Sequence, residues 1–155
     1  MEQTDKIIIK RTVYEDLEKI MEFERDNCKY IQQYNISEHE QILENECHLS
    51  IFKKENNELI GHIILAGISD PKKAIEFRRI VVSKKGFGYG KDSIELVKKI
   101  CFEKYKADKI WLDVYSDNKK AIGLYKSQGF LKEKRIQAKK DSNPRDLWIM
   151  TFNNI

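Results

Sequence analysis

The stretch Ile80-Val81-Val82-Ser83-Lys84-Lys85-Gly86-Phe87-Gly88-Tyr89-Gly90-Lys91 constrains this chain more than any other. β-Branched residues lead into three alternating glycines. Beyond them Ile94, Val97, Ile100, Cys101 and Tyr105 recur at helical spacing up to about Lys106. The order is therefore strand, glycine turn, helix. Without Cβ atoms in the way, the N–H groups of such a turn approach a ligand closely. At a helix N-terminus the orphan donors and the dipole favour an anion, and Lys84, Lys85 and Lys91 add positive charge. The stretch predicts a phosphate or pyrophosphate site. It is not a P-loop, because Asp92 follows Gly90-Lys91 and Lys85 stands where the first glycine belongs. Nor do Gly86, Gly88 and Gly90 fit the dinucleotide spacing G-x-G-x-x-G.

The rest of the chain supplies the elements for a mixed sheet. Ile7 to Thr12 predicts a short strand and Glu15 to Asn27 a helix. Ser37 to Asn45 predicts a second helix, with Ser37 as N-cap and Glu40 three residues on. Leu49–Phe52 and Leu59–Gly67 flank Glu55-Asn56-Asn57-Glu58 as a hairpin, and Ala74 to Val82 is a further strand. Ile110 to Tyr115 alternates as a strand. Asn118 to Gln128 reads as a helix capped by Asp117 or Asn118 and stopped by Gly129. Phe130–Ile136 and Leu147–Phe152 form a last hairpin around Asp141-Ser142-Asn143-Pro144. With 155 residues and no linker or repeat, the expected architecture is one α/β (α+β) domain spanning residues 1–155. Its mixed, mostly antiparallel sheet has about seven strands, with helices on both faces.

Composition narrows the function classes. The densest apolar stretch, Leu59 to Ile68, has ten residues, half of the ~20 that a membrane-spanning helix needs. Met1 to Lys6 is polar and is followed only by Ile7 to Ile9, too short for a secretory signal. A cytoplasmic protein with no membrane partner is expected. Cys28, Cys47 and Cys101 form no C-x-x-C pair and are expected to be buried hydrophobes in a reducing compartment. His39, His48 and His62 lack metal-ligand spacing, so no metal is expected. Net charge is +4, but Glu15 to Glu46 holds ten acidic residues against Lys19, Arg25 and Lys29, a local charge of −7. That asymmetry suits a cationic partner on one side. The basic remainder carries no RRM, KH or helix-turn-helix signature, so no nucleic-acid partner is expected.

Lys85-Gly86-Phe87-Gly88-Tyr89-Gly90 resembles the coenzyme A loop of the GNAT N-acetyltransferase superfamily, Arg/Gln-x-x-Gly-x-Gly/Ala, with Lys85 in the Arg/Gln place. A second stretch, Asp117-Asn118-Lys119-Lys120-Ala121-Ile122-Gly123-Leu124-Tyr125-Lys126-Ser127-Gln128-Gly129-Phe130, resembles the family's N-x-x-A-x-x-L-Y-x-x-x-G-F helix. The likeness covers nearly the whole chain and looks closest to the branch of ribosomal-protein N-terminal acetyltransferases. Two departures stand out. The segment between Val82 and the glycines is about two residues shorter than in the family, and Lys85 offers a point charge where Arg would offer a fork.

The resemblance implies an acetyl-CoA-dependent N-acetyltransferase that transfers an acetyl group directly to a primary amine in a ternary complex. Ile80, Val81 and Val82 would hold the pantetheine arm. Lys85, Gly86, Phe87, Gly88, Tyr89, Gly90 and Lys91 would cradle the pyrophosphate, with Asn118 nearby. Tyr125 would protonate the leaving sulfur. Glu76 is the candidate base, with a water chain as the substitute: period 2 places it on one face with Arg78, Ile80 and Val82, and an Arg78 that pairs with it would lower its pKa and weaken it as a base. The acceptor would be a small cationic amine or a peptide N-terminus, and a homodimer is compatible. A non-catalytic acyl-CoA-binding regulatory module is the alternative; it would keep the glycine loop without needing Tyr125.

Overall fold

The computed structural model describes residues 1–140 and 143–154. Its strands are β1 (Glu2–Gln3), β2 (Ile7–Arg11), β3 (Cys47–Lys53), β4 (Leu59–Ala66), β5 (Ala74–Val82), β6 (Lys109–Tyr115), β7 (Leu131–Lys140) and β8 (Asn143–Asn153). The helices are α1 (Leu17–Asp26), α2 (Ile36–Asn45), α3 (Tyr89–Lys99) and α4 (Lys119–Ser127). One eight-stranded sheet runs in the order β1-β2-β3-β4-β5-β6-β8-β7. Every pairing is antiparallel except that of β5 with β6. The eighth strand is the two-residue β1, too short to leave a periodic signal.

Most sequence expectations have direct counterparts, and the differences have local causes. α2 starts earlier than expected, because Asn35 caps it. Asn35 Oδ1 accepts from the Glu38 N–H at 2.8 Å, while Glu38 Oε1 accepts from the Asn35 N–H at 3.0 Å. This is a reciprocal capping box two residues upstream of the Ser37/Glu40 candidate. α3 remains α-helical only to Lys99 and widens into a π turn over Ile100–Lys104. Cys28 is exposed, whereas Cys47 and Cys101 are buried as expected. The proposed turn residues Asp141 and Ser142 lie outside the described residues.

The two faces of the sheet are filled differently. On one, Ile94, Val97, Ile100 and Cys101 pack on Ile7, Ile9, Cys47, Leu49 and Ile51, with Ile122 of α4 in the same cluster. Burying each of the larger of these side chains contributes ~1.5–3 kcal/mol. On the other, α1 and α2 supply Leu17, Ile20, Phe23 and Ile42, but buried His48, Ser50, His62 and Arg79 lie among them.

Two irregularities of β5 open the sheet. First, β5 and β6 pair only at Ala74↔Lys109, Ile75↔Ile110 and Glu76↔Trp111. β5 continues to Val82 and β6 to Tyr115 with no further pairing, so the parallel strands diverge. Second, Ile64 pairs with Arg79 but Leu65 with Phe77, leaving Arg78 as the extra residue of a bulge. Ile75 and Phe77 face the α3 side, and so do Ile80 and Val82. The alternation therefore slips one residue, and Glu76 does not share a face with Ile80 and Val82 as strict period 2 implied. It faces the α1 side, with Arg79.

Candidate functional site

The divergence of β5 and β6 creates a cleft of about 940 Å³. Its walls are the unpaired edges of the two strands, the turn into α3, the start of α4 and the segment joining α1 to α2. At one end, Gly86 and Gly88 take left-handed φ values of 84° and 81°. These positive values disfavour any side chain. A Cβ on Gly86 would meet nothing within 4 Å, so that position is open to a ligand, whereas one on Gly88 would come within 2.9 Å of Lys6 Nζ. Gly88 is the N-cap of α3 and offers no side-chain cap. The helix therefore presents its first N–H groups to the cleft. Such a turn fits a pyrophosphate.

Structure gathers the sequence candidates in this cleft. Ile80, Val81, Val82, Lys85, Gly86, Gly88, Tyr89, Gly90 and Lys91 all line it, as do Glu76, Asn118 and Tyr125. Phe87 does not: its ring is 60% exposed and stacks on Tyr89 at 5.6 Å, so only its backbone belongs to the turn. Lys85 turns back to donate a short hydrogen bond to the Val82 carbonyl, closing the loop end of β5. Burial, then the neighbouring Lys120, lowers its pKa. Asn118 caps α4 by accepting from the Ala121 N–H at 3.4 Å.

The Tyr125 ring is edge-on to Phe77 with centroids 6.2 Å apart and tilted against Phe130 at 5.9 Å. Burial raises its phenol pKa, and Asp113 raises it further. The hydroxyl thus stays protonated at neutral pH. Glu76 Oε1 accepts from Arg78 Nε at 3.3 Å and from a terminal guanidinium nitrogen at 3.1 Å. The expected pairing is present.

Sequence reasoning missed Asp113. It lies on β6 two residues past Trp111, the last residue paired with β5, and its carboxylate makes no hydrogen bond or ion pair among the described residues. Its side chain reaches solvent, but desolvation by the groups around it raises its pKa, with Glu76 adding to the shift and Arg78 partly offsetting it. In sequence it was an acidic residue at an outward position of an alternating strand. Only the parallel pairing of β6 with β5 brings it to Glu76. Tyr34 and Arg79 were missed as well; both line the cleft, the guanidinium carbon 4.1 Å from the Tyr34 ring centroid.

The divergence of β5 from β6 beside a glycine turn at a helix start leaves a cleft that fits a ligand with a diphosphate and an extended arm. The profile of the acetyltransferase (GNAT) family matches residues 11–130, and the chain belongs to that family. It is an acyltransferase with acetyl-CoA as acyl donor, and the glycine turn and free β5 edge fit that donor. No curated protein matches the sequence. Among solved structures, the spermidine N-acetyltransferase of Vibrio cholerae in complex with CoA and spermine is 21% identical, with a TM-score of 0.85. That match covers 97% of this chain and 96% of the other. A chimera of the Vibrio enzyme with hSSAT gives 21% and 0.85 over 95% of each chain. A GNAT-family acetyltransferase from Bacillus anthracis gives 17% and 0.81 over 97% and 96%. At these identities the likeness establishes the fold. The two Vibrio structures are spermidine N-acetyltransferases, not members of the ribosomal-protein branch that the sequence resembled. No described helix is long and apolar enough to cross a membrane.

Proposed function

We propose that this chain N-acetylates a small cationic amine, by direct transfer within a ternary complex. The observation that carries the reading is the opening between β5 and β6. It joins an anion-receptive turn at one end to two carboxylates, Glu76 and Asp113, at the other. The polyamine acetyltransferases among the structural relatives support the acceptor class, as does the −7 charge between Glu15 and Glu46.

Acetyl-CoA supplies a thioester carbonyl and a thiol leaving group. The residues of this chain do the rest. N–H groups of Gly86 to Lys91 hold the pyrophosphate at the start of α3, with Lys85 closing the turn onto Val82 and Asn118 on the cleft wall at the start of α4. The unpaired edge of β5 at Ile80, Val81 and Val82 offers backbone groups to an amide-bearing arm. Glu76 and Asp113 flank the incoming ammonium. Its proton passes to Asp113, because Glu76 is tied to Arg78 while Asp113 has a raised affinity for a proton. The freed lone pair attacks the thioester carbonyl. As the C–S bond breaks, the Tyr125 hydroxyl protonates the departing sulfur, and the second proton of the amine nitrogen passes to the tyrosinate as the amide forms. Each proton then exchanges with solvent.

The test is thiol release from acetyl-CoA over a panel of polyamines, amino acids, aminoglycosides and N-terminal peptides, with products identified by mass. A monoacetylated polyamine is the expected product. Acetylation confined to peptide N-termini would replace the acceptor, and binding without turnover of any amine would favour the regulatory module.

A further inference from the structure

Glu24 of α1 is fully buried. A carboxylate there is expensive unless it is paired and its lone pairs are filled. Glu24 meets both conditions. Its Oε1 accepts from His39 Nε2 at 2.8 Å and from the Tyr34 backbone N–H at 3.3 Å. Its Oε2 takes a short bond from the Arg79 guanidinium and lies 3.5 Å from His62 Nε2. His48 Nε2 and His62 Nδ1 are 3.0 Å apart, extending the cluster across β3 and β4.

The cluster is not the cheapest way to fill this space. His39 Nδ1, His48 Nδ1 and His62 Nε2 are buried without a hydrogen-bond partner among the described residues. Such groups cost stability that apolar side chains avoid. The α3 face of the same sheet is filled by apolar side chains. What the polar filling adds is directed outward. Two of the groups held by Glu24, Arg79 and the backbone of Tyr34, belong to residues that line the cleft. The Tyr34 ring is clamped between the Arg79 guanidinium at 4.1 Å and the edge of His39 at 5.6 Å.

The segment that this clamp secures is tied at its two ends as well, where Asn27 Nδ2 donates to the Phe23 carbonyl at 2.8 Å and Asn35 caps α2. Between α1 and α2 the chain adopts no helix or strand. Its other contacts include Tyr30 Oη, which donates to the Asp117 carbonyl at 3.4 Å. Yet this segment contributes Asn27, Tyr30, Ile31, Gln32 and Tyr34 to the cleft wall.

We propose that Glu24 is a positioning residue. Working through Arg79 and Tyr34, it holds the segment between α1 and α2 as the acceptor-side wall of the cleft and thereby sets acceptor affinity. The proposal rests on the reading that the acceptor enters at this end.

The experiment compares the wild-type chain with Glu24→Gln and Arg79→Lys. It uses spermidine as probe amine, calorimetry with acetyl-CoA, and amide hydrogen exchange over residues 27–35. Glu24→Gln is expected to raise the KM for spermidine about tenfold or more, with kcat and acetyl-CoA affinity within about twofold. Amides of residues 27–35 should exchange at least tenfold faster. Arg79→Lys, which retains the positive charge but loses the planar stack on Tyr34, should move the same quantities in the same direction. It carries the test if Glu24→Gln does not fold. Unchanged exchange over 27–35 would overturn the proposal, as would a parallel loss of acetyl-CoA affinity. A wild-type chain inert toward spermidine would overturn the acceptor proposed above rather than the role of Glu24, which the exchange measurement then decides alone.

Discussion

The two ends of the cleft are made of different material. At the glycine end the working parts are main chain: N–H groups at the start of α3 and the unpaired edge of β5, exposed because Gly86 and Gly88 carry no Cβ and take left-handed φ. At the carboxylate end they are side chains from elements distant in sequence: Glu76 from β5, Asp113 from β6 and Tyr34 from the segment after α1. Tyr125 of α4 stands between, its phenol kept protonated by burial and by Asp113. A backbone site depends on local conformation and tolerates many side chains. A side-chain site depends on tertiary register, and one substitution can remove it.

Changes at the junction and the two ends should therefore separate kinetically. The largest effect is expected at the junction. Tyr125→Phe removes the proton donor and should lower kcat about 10²- to 10⁴-fold, with acetyl-CoA affinity unchanged by calorimetry. Undiminished kcat would remove the phenol from the mechanism. At the glycine end, Gly88→Asp puts a negative charge at the anion site and a side chain where φ is 81° and Lys6 Nζ is 2.9 Å from the added Cβ. Acetyl-CoA Kd should rise about 100-fold, roughly 2.7 kcal/mol, and kcat at saturation should change little. Equal affinity in the variant would contradict the assignment of the turn.

At the carboxylate end, Asp113→Asn should lower kcat about 10- to 100-fold. In the wild-type chain the rate should rise with pH as Asp113 loses its proton, at a pH above the ordinary carboxylate value because desolvation and Glu76 raise its pKa. Asn cannot titrate, so this acidic limb should disappear in the variant. A limb that persists would assign the titration to another group.

The smallest effect at neutral pH, and one that grows with acid, concerns the buried histidines behind the carboxylate end. Burial holds His62 well below its ordinary pKa of 6.5 and lowers His48 to about 3. Above pH 6.5 both rings are neutral in the folded and unfolded chain. Below it the unfolded chain takes up protons that the folded chain refuses. Stability should fall by about 1.4 kcal/mol per pH unit for each ring, for His48 until the pH nears 3. Urea midpoints measured from pH 7 to 5 test this, and His48→Gln should flatten the slope. A midpoint independent of pH would mean that the rings take up protons alike in the folded and unfolded chain.

Much of the glycine end was legible in the chain because its signals are local. Alternating glycines after Val82 and before the periodic apolar face of α3 mark a turn whose backbone must stay bare. Asn118 three residues before Ala121 marks a cap, and the structure has both. The carboxylate end was half legible. Glu76 and its Arg78 partner lie two residues apart, but the bulge at Arg78 shifts the face that Glu76 occupies. Asp113 carried no signal, since its meeting with Glu76 depends on a parallel pairing across 36 intervening positions. Glu24 was one of ten acidic residues between Glu15 and Glu46 with nothing to set it apart, and the three histidines showed no common spacing.

Taken alone, the order of residues was enough for the element sequence, the glycine turn and the membership of a family, because hydrophobic period, caps and glycine φ act over a few neighbours. Which carboxylates line the cleft, and which one is buried against Arg79, depended on strand register, the bulge and the packing of α1 on the sheet. Those are properties of contacts between distant segments. A shift of one residue in β5 would have sent Glu76 to the opposite face.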